Sequence, residues 1–105
     1  MRYVVDIDGT ICSNTDGHYE NATPYTDAID KVNKLYKDGN TVVYFTARGM
    51  GRSNGSKAVA EELFRELTER QLNEWGCKYH ELIMGKPSGD VYIDDKGVNS
   101  VYFFG

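Results

Sequence analysis

Cysteine, proline, tryptophan and histidine are all scarce in this chain, and each shortage narrows what it can be. Two cysteines, Cys12 and Cys77, lie too far apart to make a disulfide framework. Reduced thiols are therefore the expected state, and nothing in their pattern supports a catalytic thiolate. No apolar run is longer than a handful of residues, too short for a membrane-spanning helix. Met1-Arg2-Tyr3 leads directly into strand-forming residues without the apolar stretch of an export signal, so a cytoplasmic protein is expected. A surplus of positive charge is missing too. The formal net charge of −4 argues against a nucleic-acid surface, which would be basic. Repeats, linkers and low-complexity tracts are absent. The 105 residues suffice for one hydrophobic core, hence a single domain over 1–105.

What is present is organised around Val4-Val5-Asp6-Ile7-Asp8-Gly9-Thr10. The β-formers Val4, Val5 and Ile7, closed by Gly9, predict a buried strand. Side chains two apart on a strand share a side, so Asp6 and Asp8 should leave its carboxyl end together. Two like charges that close favour a bound cation or a shared proton. Asp-Gly is also ordinary turn chemistry, so the pair alone decides nothing.

The rest of the chain alternates. Residues 11–23 are rich in turn formers and read as a loop or small hairpin, with His18 and Tyr19 near its middle. It is either a solvated loop or a flap over the strand end. Pro24 to Asp38 has helical spacing, with Thr23 or Thr26 as cap and Gly39 as left-handed terminus. Thr41 to Phe45 is apolar on both faces, as a parallel strand requires, and runs into Thr46-Ala47-Arg48. Ser56 to Trp75 is helical. Thr68-Glu69-Arg70-Gln71 has capping-box spacing, which leaves open a break into two helices at Thr68. Tyr79 to Met84 and Val91 to Ile93 are further strands, and 97–105 is ambiguous between edge strand and helical turn. This alternation predicts an α/β fold, a Rossmann-like three-layer αβα sandwich with a small central parallel sheet. Right-handed crossovers bring the strands' carboxyl ends to one edge, where such sheets bind ligands. Asp6/Asp8, Thr46, Lys86 and Asp94/Asp95 should meet there.

Four motifs then stand in order: Asp6-Ile7-Asp8-Gly9-Thr10, Tyr44-Phe45-Thr46-Ala47-Arg48, Gly85-Lys86-Pro87 and Ile93-Asp94-Asp95-Lys96. Together they resemble the haloacid-dehalogenase-like (HAD-like) phosphohydrolases over essentially the whole chain. The resemblance implies an Mg²⁺-dependent phosphomonoester hydrolase. Asp6 would be the nucleophile that forms an aspartyl phosphate and Asp8 the general acid and base. Mg²⁺ would be held by the Asp6 carboxylate, the Asp8 backbone carbonyl, Asp94 and Asp95. Thr46 would donate to a phosphoryl oxygen, and Lys86 would neutralise the phosphate. The amides of Gly9 and Thr10, with Ala47 and Arg48, would complete the substrate-binding set. Arg48 could equally pair with an acid. His80 and the tyrosines Tyr44, Tyr79, Tyr92 and Tyr102 read as packing residues.

Two departures qualify the resemblance. Neither gap between motifs is long enough for a cap domain, so the site should be open unless the 11–23 flap or a second copy in a homo-oligomer closes it. Asp94 follows Lys86 by only eight positions, too few for an ordinary parallel crossover, which makes Lys96 the alternative phosphate-binding lysine. Within the HAD-like enzymes the motifs look like those of small bacterial phosphatases associated with capsule and surface-polysaccharide functions. That implies a small phosphorylated partner such as a sugar phosphate. A polynucleotide-end phosphatase, a non-catalytic metal- or phosphate-binding module and a receiver-like signalling domain are the alternatives. The receiver reading fits less well, because it places its acidic pair after the first strand rather than the last.

Overall fold

Val4, Val5, Val42 and Val43 are all fully buried, and they sit on the two adjacent strands from which the sheet grows. The computed structural model of the chain describes residues 1–48, 57–85 and 91–93, with the backbone alone at 57–63, 91 and 92. Its elements are β1 (Arg2–Asp6), a 3-10 turn (Tyr19–Asn21), α1 (Thr26–Lys37), β2 (Thr41–Thr46), α2 (Lys57–Glu74), β3 (Glu81–Met84) and β4 (Val91–Ile93). The strands form one sheet in the order β3-β2-β1-β4, parallel throughout. Parallel strands are buried on both faces, which is why β1 and β2 carry continuous apolar runs.

Register shows how the two faces are used. Tyr3 lies level with Val42, Val5 with Tyr44 and Ile93, and Tyr44 with Leu82, so these residues share one face. They join Ile29 and Val32 of α1 and Leu72 of α2 in a single core cluster. Both described helices therefore cover the same face, as right-handed crossovers demand when β2 and β3 are added successively outward. Asn33 of α1 ties them together: its Nδ2 donates to the Gly76 carbonyl, and its Oδ1 accepts from the Lys78 amide. Val4, Val43 and Phe45 alternate onto the opposite face and are buried as well. Each such aliphatic side chain contributes about 1.5–3 kcal/mol, so a charge at Val5 would undo the centre of the sheet.

Both helices end on glycines in a left-handed conformation. After α1, Gly39 (φ 93) donates to Tyr36 and Asn40 donates to Leu35. After α2, Gly76 (φ 73) donates to Asn73 and Cys77 donates to Leu72. Each is the paired bond of a Schellman motif, which satisfies carbonyls that the helix leaves open. The N-terminal expectation for α1 is corrected. The cap is Tyr25, with no side-chain bond, so neither Thr23 nor Thr26 caps it. Thr23 is occupied elsewhere, its amide donating to Ser13 Oγ and its carbonyl accepting from the Ser13 amide. The break at Thr68 is also corrected, because α2 runs through it.

Residues 85–90 alone separate β3 from β4. β4 lies on the far side of β1, with Ile93 level with Val5. Lys86, Asp94, Asp95, Lys96 and the 97–105 segment fall outside the described residues. Among those described, no helix is long and apolar enough to cross a membrane.

Candidate active site at the carboxyl edge of the sheet

The β1 ladder stops at Asp6, and the chain turns at once. Gly9 has a φ of 86, a conformation that costs a side-chain-bearing residue about 1–2 kcal/mol. The amides of Thr10 and Ile11 both donate to the Ile7 carbonyl, and the Gly9 amide donates to Cys12. The Gly9 and Thr10 amides thus each carry a bond within the turn. The Thr10 hydroxyl is buried and has no hydrogen-bond partner among the described residues.

Because Asp8 lies beyond the ladder, the strand's alternation no longer sets its direction. Its carboxylate is held by residues from β2 and just after it. Thr46 Oγ1 donates to Asp8 Oδ2 at 3.1 Å. Arg48 Nε reaches Oδ1 at 3.1 Å and Oδ2 at 3.0 Å, while Nη2 reaches Oδ1 at 2.9 Å. Thr46 Oγ1 also accepts from the Arg48 amide at 3.1 Å, which fixes the short turn leading out of β2. Asp6, one strand position back from Ile7, accepts from the Ile7 amide through Oδ1 at 2.8 Å. The pair of acids thus divides: Asp8 is neutralised by a cation from the chain itself, and Asp6 sits half-buried at the strand end.

Arg48 is the largest of the fully buried side chains. Sequence leaves it between substrate anion and acid; the structure assigns it to the acid. Burying a guanidinium is costly unless its donors are matched, and here they are. Nη1 donates to Thr68 Oγ1 at 3.1 Å and to Gln71 Oε1, and the Tyr19 ring lies 5.0 Å from Cζ, within cation–π range. Thr46 is fully buried, with its hydroxyl donated to Asp8 as well. Ala47, between them, is exposed.

Tyr19, Thr68 and Gln71 were not legible as site residues from motifs. A weaker signal exists, since Thr68 and Gln71 stand on the same helical stripe as Phe64, Leu67, Leu72 and Trp75. Polar residues on a buried apolar stripe call for buried partners. Gln71 meets this demand twice, with Oε1 facing Arg48 and Nε2 donating to the Tyr19 carbonyl at 2.6 Å. The 11–23 segment is closed at its neck by Ser13–Thr23 bonds and a Cys12–Pro24 bridge. It turns Tyr19 inward, edge-on to Phe64 at 5.1 Å, and leaves His18 exposed.

Both cysteines are buried and free. Cys12 lies 3.7 Å from Asp8 Oδ1. Burial first, then the Asp8 charge, pushes its thiol up to about 12, the reverse of what a catalytic thiolate needs. Burial likewise raises Cys77 to about 11, against a partial pull from Tyr44. Tyr44 is fully buried, with Tyr79 edge-on at 5.7 Å, so both are packing residues. His80 stacks on Tyr36 at 4.7 Å and accepts from the Val42 amide through Nδ1.

No protein-family model and no curated protein matches the sequence. Solved structures do match the fold. A structural-genomics target from Vibrio cholerae is 28% identical, with a TM-score of 0.79 over 98% of this chain and 87% of its own. D,D-heptose 1,7-bisphosphate phosphatase from B. bronchiseptica, solved with magnesium and phosphate, is 15% identical with a TM-score of 0.54, covering 85% of this chain and 51% of that one. A chain of the Pnkp1/Rnl/Hen1 complex is 20% identical with a TM-score of 0.59, covering 97% of this chain and 33% of that one. The protein is a small α/β domain that shares its fold with these structures. It spans about half of the heptose phosphatase and a third of the RNA-repair chain.

Proposed function

We propose that this chain is a phosphomonoester hydrolase working through a phosphorylated Asp6. The observation that carries the reading is the carboxylate of Asp8, locked by Thr46 and Arg48 beside the end of the strand that bears Asp6. A group so oriented suits proton transfer at a fixed point. In the first step an Asp6 oxygen bonds to phosphorus as the ester P–O bond breaks, and the Asp8 carboxylic acid protonates the departing alkoxide. In the second, Asp8 takes a proton from water as the water oxygen bonds to phosphorus, the Asp6–phosphorus bond breaks and inorganic phosphate leaves.

The donor chemistry at β1 fits a hard cation. Asp6 offers a carboxylate, and the Asp8 side chain, being engaged by Arg48, leaves its backbone carbonyl as that residue's contribution. With Asp94 and Asp95 these would hold Mg²⁺, whose chemistry is to neutralise a phosphate dianion approaching two acids. Ile93 standing level with Val5, one residue before Asp6, supports drawing Asp94 into this set. Lys86 is kept as the phosphate-neutralising cation, with Lys96 as its alternative.

A small phosphorylated metabolite such as a sugar phosphate is the favoured substrate, in keeping with the acidic balance of the chain. A polynucleotide 5′- or 3′-end is the second reading, favoured by the fold shared with the RNA-repair chain. Turnover of p-nitrophenyl phosphate with Mg²⁺, abolished by Asp6→Asn or by chelation and restored by added Mg²⁺, is the expected result. No turnover at millimolar substrate would overturn the proposal. Comparing hexose phosphates with end-phosphorylated oligonucleotides across a salt titration separates the two substrates, because only the latter should weaken steeply with salt.

A further inference from the structure

Gln71 is buried and uses both ends of its amide on two parts of the chain that are otherwise distant in sequence. Its Oε1 accepts from Arg48 Nη1, and its Nε2 donates to the Tyr19 carbonyl at 2.6 Å. The orientation of the amide is fixed by these partners, since the guanidinium can only donate and the carbonyl can only accept. Thr68, one turn earlier on α2, accepts from the same Nη1 at 3.1 Å and donates to its own helix at the Phe64 carbonyl. The Tyr19 ring completes the arrangement, standing over the guanidinium and edge-on to Phe64.

We propose that Gln71 is a positioning residue that latches the 11–23 loop to Arg48, so that the seating of the loop and the orientation of the Asp8 carboxylate are held as one unit. Three links make the path: Tyr19 carbonyl to Gln71, Gln71 to Arg48, Arg48 to both oxygens of Asp8. A loop lifted from its seat takes the Tyr19 carbonyl from Nε2 and the ring from the guanidinium together. Gln71 Nε2 is then left without its acceptor and the Arg48 guanidinium loses the ring over its face, which disfavours lifting and loosens the fork on Asp8 when it happens. The catalytic consequence rests on the phosphohydrolase reading; the latch itself does not.

Two variants separate the two ends of the amide. Gln71→Glu keeps an acceptor for Arg48 but sets a carboxylate oxygen against the Tyr19 carbonyl. Gln71→Asn is one methylene too short to span both partners. Hydrogen exchange of the loop amides His18, Asn21 and Ala22, bonded within the loop to Thr15, His18 and Tyr19, reads the latch without any assay of activity. Both variants are expected to lose protection in the loop by about 2–10-fold, the worth of one neutral hydrogen bond, while the amides of β1 and β2 keep theirs. In turnover of an alkyl phosphate, whose departing alkoxide needs the Asp8 proton, Gln71→Glu should lower kcat about 2–10-fold, because the loop is unlatched while Arg48 keeps its acceptor. Gln71→Asn should lower kcat about 10-fold or more with KM nearly unchanged. Loop protection equal to wild type in both variants overturns the latch. Unchanged kcat in Gln71→Asn, with the loop loosened, overturns the coupling to Asp8. A wild-type protein without turnover would instead refute the phosphohydrolase reading, and the exchange experiment would still decide on the latch.

Discussion

Arg48 and Asp8 meet in a two-oxygen fork, Nε spanning both carboxylate oxygens and Nη2 bonding Oδ1 at 2.9 Å. The arginine side chain is wholly buried and the aspartate largely so. The geometry makes each the other's main compensation for leaving water, and this pairing decides what the first predictions must be.

Removing the arginine should destabilise the fold more than removing a typical surface charge. Arg48→Met leaves the Asp8 carboxylate, Thr68 and Gln71 without their shared donor. Breaking one side of a buried pair costs about 3–5 kcal/mol. Arg48→Lys keeps the charge but not the fork and should fall between. Urea unfolding measures both; a loss under about 1 kcal/mol for Arg48→Met would contradict the account.

The role assigned to Asp8 predicts a dependence on leaving group. Asp8→Asn cannot protonate a departing alkoxide, so hydrolysis of alkyl phosphates should fall about 10²–10⁴-fold. An aryl phosphate such as p-nitrophenyl phosphate leaves as a stable anion and needs less help, so its rate should fall less. Equal losses for both substrates in steady-state assays would remove Asp8 from proton transfer to the leaving group.

Cys77 supplies a pH signature. Its thiol moves from an ordinary 9.0 to about 11 because burial disfavours the thiolate. A group whose pKa is raised in the folded state contributes stability that is complete below the unfolded value and lost as pH rises towards the folded one. From pH 9 to 11 the wild type should therefore lose stability faster than Cys77→Ala, by about 1 kcal/mol for each pH unit. Denaturant curves at pH 8, 9, 10 and 11 check the slope, and parallel curves for the two proteins would contradict it. At pH 8 the thiol should also resist alkylation until the protein is unfolded.

Gly39 isolates a backbone effect. Its φ is 93, and a β-carbon there would meet nothing within 4 Å among the described residues, so Gly39→Ala tests the conformational term. It should lower stability by about 1 kcal/mol, and Gly39→Asn by less, because asparagine tolerates the left-handed region. A thermal-melt series of the three proteins tests the order.

Much of this architecture was legible in the residues. Local propensity and the spacing of apolar side chains set α1, α2 and the four strands to within a few residues, because each depends on neighbours close in sequence. The apolar runs of β1 and β2 required a sheet covered on both sides, and glycines marked both helix ends. That Asp6, Asp8 and Thr46 lie at one edge of the sheet was readable because strand ends in a parallel sheet converge there.

What only the tertiary structure decided is who answers whose charge. Arg48 is forty positions from Asp8, and Thr68 and Gln71 lie a further helix away, so no local pattern could say that the arginine faces inward. The break once open at Thr68 vanished for the same reason. Its hydroxyl is bonded to Phe64 and receives a bond from Arg48, and a polar group with buried partners has no need to start a new helix. Sequence determines which groups carry charge and which segments are helix or strand; the meeting of distant segments determines which charges leave water together, because desolvation depends on surroundings that the chain order does not contain.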